Sequence, residues 1–133
     1  MIAEKTINIC GKQVKMRYCI AAETGYEVLS GQSVEVFNPT VTERDAEGKP
    51  IKVDAPKATT VDYIKLACAA IVAAYERNEQ EAPIKVEEIL YDATPEEITA
   101  LVTAIVELRL QWYNIPGVIK PETDEKPDDS KNA

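Results

Sequence analysis

The sequence contains no histidine. That removes the Ser-His and Cys-His catalytic pairs, the commonest zinc ligand and the usual switch near neutral pH. Cysteine is scarce as well: Cys10, Cys19 and Cys68 are odd in number and form no CxxC, so neither a disulfide framework nor a zinc site is encoded. Cys10 and Cys19 fall in one expected hairpin, but at nine residues apart they are not directly opposed across a two-residue turn. The five glycines never form GxGxxG or GxxxxGK, which leaves no phosphate cradle. No stretch approaches the ~20 apolar residues of a membrane span, and the opening MIAEKTINIC carries Glu4 and Lys5, so a cytoplasmic protein is expected. Basic charge is also short, with 15 Lys and Arg against 23 Asp and Glu and a net charge of -8. The mean field repels phosphate backbones and anionic lipid, which disfavours nucleic acid and membranes as partners.

What remains is 133 residues with 45% hydrophobic and 29% charged side chains, values of a globular chain able to bury a core. The expected class is α+β: an N-terminal β-hairpin packed on a small, mainly helical layer of three main helices and a short one. Residues 1–115 read as one domain with a long connector at 38–59, and 116–133 as an acidic, solvated tail rich in proline and charge.

Residues 5–19 alternate with period two about Gly11-Lys12, the pattern of a hairpin with a Gly-X turn. Ile7, Ile9, Val14, Met16 and Tyr18 share the face to be buried. Residues 21–30 suit a short helix that places Ala22, Tyr26 and Leu29 inward and stops at Gly31. In the connector, VTE and IKVD can pair as a second hairpin, which Pro39, Pro50 and Pro56 would confine to an edge. Thr59-Thr60-Val61-Asp62 is an N-cap for a helix to about Arg77, with Val61, Ile64, Cys68, Ile71, Val72 and Tyr75 as its core stripe. A short helix spans about Val86 to Tyr91. The last helix opens on Thr94-Pro95-Glu96-Glu97, a capping Thr, a first-turn proline and a capping-box Glu, and runs to about Tyr113.

Catalytic chemistry is not readable. Glu87-Glu88 and Glu96-Glu97 sit in expected first turns, where negative side chains meet the positive helix end, and nothing nearby supplies a nucleophile or oxyanion donors. The interval Glu76 to Glu97 holds eight acidic and two basic side chains; it reads as a solvated face, with a cation or a basic partner as the alternative. A non-enzymatic protein without metal or cofactor is expected. Arg109 lies between the apolar stripes of the last helix, and either snorkels to water or, if buried, wants a carboxylate.

Both long helices carry more apolar arc than one neighbour requires. Tyr63, Leu66, Ala70 and Ala73 lie behind the first core stripe, and Val102, Val106, Leu110 and Tyr113 adjoin the stripe of Ile98, Leu101, Ile105, Leu108 and Trp112 on the last helix. One face closes the bundle; the other is free for self-association or an amphipathic helix, with Tyr63 or Tyr113 as aromatic anchor. Alternatively, the connector and the short helix cover both.

The opening ribbon, Thr6 to Tyr18, followed by Tyr26-Glu27-Val28-Leu29-Ser30-Gly31-Gln32-Ser33, resembles bacteriophage tail assembly chaperones. Thr60 to Ile71 is similar to the helix in which those proteins carry Leu-x-x-Ala-x-x-Ile, and Lys85 to Leu90 to their closing segment. The 38–59 connector departs from their usual pattern. The resemblance implies a chain that binds the tape measure protein, keeps it soluble and recruits tail tube protein in the host cytoplasm. The alternative is a structural tail or head-tail junction component retained in the virion.

Overall fold

Alternation near the N-terminus gives strands β1 (Ala3–Ile9) and β2 (Lys12–Tyr18), paired antiparallel, in a computed structural model that describes residues 2–38, 40–54 and 58–114. The turn is Cys10-Gly11, not Gly11-Lys12. Both residues have positive φ, 53° and 74°, which makes the two-residue connection whose twist matches the strands. Ile9 therefore faces Lys12 and Ile7 faces Val14. Each partner is displaced by two positions from the expected register, an even shift that leaves the inward face unchanged. Ala3, Ile9, Val14, Met16 and Tyr18 are buried on that face. Lys5 and Lys12 share it and reach past its margin to Glu107 and Glu88 of the helices below.

Helix α1 (Ile20–Ser30) buries Ala22 and Tyr26 and ends at Gly31 in the left-handed region, whose amide donates to the Glu27 carbonyl. Leu29, expected inside, is 43% exposed. A short 3-10 helix over Val34–Phe37 follows, started by the Ser33 hydroxyl accepting from the Glu35 amide. The connector then forms the second hairpin, β3 (Thr40–Arg44) with β4 (Pro50–Asp54). Pro50 opens β4, where a missing amide is tolerated; Pro39 and Pro56 lie outside the described residues, as does the tail from 115 on.

Helix α2 (Thr60–Glu76) is the centre of the molecule, packed on α1, on β2 and on the last helix. From Ile64 to Ile71 every residue except Lys65 is buried. Val61, expected in its core stripe, is exposed in the first turn, because there it is Asp62 that turns inward to α1. Helix α3 (Val86–Asp92) and helix α4 (Pro95–Tyr113) complete the layer. Leu101, Ala104, Ile105 and Leu108 of α4 are buried, with β1 across them. The fold is α+β, a ribbon laid across a helical layer. No described helix is long and apolar enough to cross a membrane.

Candidate protein-binding groove

The two apolar faces expected on the long helices meet. Tyr63 and Leu66 at the start of α2 lie against Ile105, Val106 and Leu110 in the second half of α4, and with Phe37 and Arg109 they line a groove of about 110 Å³. The beginning of one face thus meets the end of the other. Leu66 is floor, at 1% exposure, whereas Val106 and Leu110 stand at 37% and 62% on the rim.

The other expected residues do not join this surface. Ala70 is fully buried as a core contact of the central helix and does not project as a binding side chain. Ala73 and Val102 are half-buried and lie outside the groove lining. Tyr113, expected as an anchor, is half-buried and its hydroxyl donates to the Glu23 carboxylate, so its ring braces the groove's end.

That end is a polar and aromatic cluster. Arg109 Nε donates to the Tyr18 hydroxyl at 3.2 Å and its Nη2 to Asn38 Oδ1 at 2.8 Å, while the guanidinium lies 5.0 Å from the Tyr113 ring centre and 5.8 Å from that of Phe37. Tyr18 in turn donates to Glu23 at 2.8 Å. Arg109 thus neither snorkels freely nor pairs directly with a carboxylate; two rings, a hydroxyl and an amide hold it, and the charge of Glu23 reaches it through Tyr18. Burial, then the bond to Glu23 and its charge, push the Tyr113 hydroxyl up to about 12, and burial followed by Glu23 raises that of Tyr18. Both phenols therefore stay protonated donors at neutral pH.

Phe37 is the residue that sequence reasoning missed. Its ring packs 5.0 Å from Tyr26 and 4.9 Å from Tyr63, joining α1, the 3-10 helix and α2. The signal was available, since it is the sole phenylalanine of the chain, set between Val36 and Asn38 at the mouth of the connector.

The stretch Tyr26 to Ser33 plays a holding role. The Tyr26 hydroxyl and the Gln32 side-chain amide both donate to Asp62 Oδ1, at 3.0 and 2.9 Å, and Asp62 Oδ2 accepts from the Thr59 amide and hydroxyl. Burial acts to raise the Asp62 pKa, but the bonds from Thr59, Tyr26 and Gln32 outweigh it and leave the carboxyl below its ordinary value. At the far end Glu97 does a similar job, accepting from the Thr94 amide with one oxygen and from the Cys10 amide of the hairpin turn with the other. No group of three or more His, Cys, Asp or Glu is placed to hold a metal among the described residues. The arrangement offers a recess for apolar side chains between two helices, with an exposed aliphatic rim and a pinned aromatic end. Compared with protein-family models, curated proteins and solved structures, the chain matches none.

Proposed function

We propose that the chain is a non-catalytic phage or prophage tail assembly chaperone, which holds a helical segment of the tape measure protein and assists tail tube assembly in the host cytoplasm. The observation that carries this reading is the α2–α4 groove, where Val106 and Leu110 remain exposed beside a floor of Leu66 and Ile105. Such a recess suits one turn of an amphipathic helix, whose i and i+3 or i+4 side chains enter while its polar side stays wet. The resemblance of the ribbon and of Tyr26 to Ser33 supplies the family, and the acidic net charge supports solubility of an otherwise aggregating partner.

Co-expression with the candidate tape measure protein tests it: the long helical chain becomes soluble and co-purifies with this protein. A tape measure protein that stays insoluble with and without this chain contradicts the proposal. Mass spectrometry of purified virions separates the structural alternative. A chaperone is absent or present in trace, whereas a tail or head-tail junction component appears in amounts comparable with other minor tail proteins.

A further inference from the structure

A second recess lies on the other side of α2. Tyr63 and Val72 are nine residues apart, half a turn out of phase at 3.6 residues per turn, so the cleft that contains Val72 faces away from the α2–α4 groove. It has a volume of about 320 Å³, larger than the groove and at the lower end of the range for ligand pockets. Leu29 from the end of α1, Val72 from α2 and Val86 from the start of α3 give it apolar walls, over buried Ile84 and Cys68. Leu29 is 43% exposed there, an aliphatic side chain that the fold turns outward although its helix has an inward face.

The rim is acidic. Glu76, Glu81 and Glu87 border the cleft with Lys85 as the one base, and among the described residues none of the three carboxylates makes an ion pair. The contrast with Glu88 is local: that neighbour turns to the hairpin and is paired with Lys12 at 2.9 Å. The Cys68 thiol registers the arrangement, pushed up to about 12 by burial and then by the charge of Glu87. Three unpaired carboxylates around an apolar recess favour an occupant that brings an aliphatic side chain flanked by cations.

We propose that this cleft docks a cationic amphipathic helix of a partner protein, one leucine-, isoleucine- or methionine-sized side chain entering between Leu29 and Val72 while lysines or arginines meet Glu76, Glu81 and Glu87. The sign of the charge selects this occupant over nearer ones. The chain's own segment 120–131 carries five carboxylates against three lysines, and a second copy brings a net charge of -8. Both are repelled by the rim, as are nucleic acid and anionic lipid.

The test uses the full chain and a fluorescein-labelled leucine–lysine amphipathic peptide of about 15 residues, long enough to form a helix on binding. Anisotropy shows saturable binding, and the peptide displaces backbone amide resonances of Leu29, Val72 and Val86. Glu76→Gln, Glu81→Gln and Glu87→Gln together weaken it roughly tenfold or more. Neutralising three exposed carboxylates elsewhere, Glu43→Gln, Glu47→Gln and Glu96→Gln, changes the net charge equally and leaves the affinity within about twofold. Leu29→Ala weakens binding while lowering the melting temperature by no more than a few degrees, because Leu29 is 43% exposed. Equal losses from both triple variants, equal affinity for a lysine-only peptide, or no saturable binding overturn the proposal. Leu110→Glu, in the other groove, leaves this binding unchanged, so the outcome is independent of the chaperone reading.

Discussion

At Asp62 one buried carboxylate accepts hydrogen bonds from the Thr59 amide and hydroxyl, the Tyr26 hydroxyl and the Gln32 amide. The capping box itself follows from the Thr-x-x-Asp spacing and is visible in sequence. The bonds to Tyr26 and Gln32 are not, because they depend on how α1 lies against α2. Asp62→Asn keeps the shape, removes the charge that these donors stabilise, and is expected to lower stability by about 2 kcal/mol in denaturant unfolding. Its pH signature is specific. A carboxyl with a folded-state pKa below its unfolded value contributes fully above the ordinary aspartate range near 3.9, and that contribution is lost as the pH falls through the depressed value. The difference in stability between parent and variant should therefore shrink below about pH 4. A gap that stayed constant into stronger acid would show that the charge of Asp62 is not what the cluster uses.

Among the elements, the first hairpin shows what alternation determines and what it leaves open. Period-two patterning identifies the inward face, because any even shift of register preserves it, but it does not locate the turn to the residue. Cys10 in a positive-φ position is a poor guide, since asparagine or aspartate is the usual companion of glycine there. The hydrogen bond that its backbone amide donates to the carboxylate of Glu97, 87 residues away, is one compensation invisible in local sequence. Ile9→Asp places a charge at a fully buried site and is expected to cost about 4 kcal/mol or more, while Lys15→Glu on the exposed side changes stability by less than about 0.5 kcal/mol. Thermal melts of the two variants check the pair. The contact of α1 with α2 makes a less intuitive prediction. Gly25 weakens α1 by propensity, yet a Cβ there would lie 3.1 Å from Cβ of Ala69, a buried residue of the central helix. Gly25→Ala should destabilise the protein despite a helix-propensity gain of about 1 kcal/mol. A rise in melting temperature would mean that the two helices can separate by a few tenths of an ångström at little cost.

For the whole molecule, one buried helix with an acidic chain wrapped about it leaves two recesses on opposite sides of α2. The apolar faces of the long helices were legible from helical periodicity. Their division into floor and rim was not, because Leu66 and Leu110 are equally apolar in sequence and differ only in which neighbours the bundle places over them. The role of Phe37 was hidden for the same reason, as it acts through contacts with Tyr26 and Tyr63 that no local pattern encodes. If the chain is the proposed chaperone, the α2–α4 groove, and not the core beneath it, holds the tape measure protein. Leu110, 62% exposed on the rim, is the residue that separates the two. The measurement is co-purification of the tape measure protein with Leu110→Glu, paired with a thermal melt of the variant alone. Loss of the partner, with a melting temperature within a few degrees of the parent, is expected. Undiminished co-purification by a folded Leu110→Glu protein would contradict it.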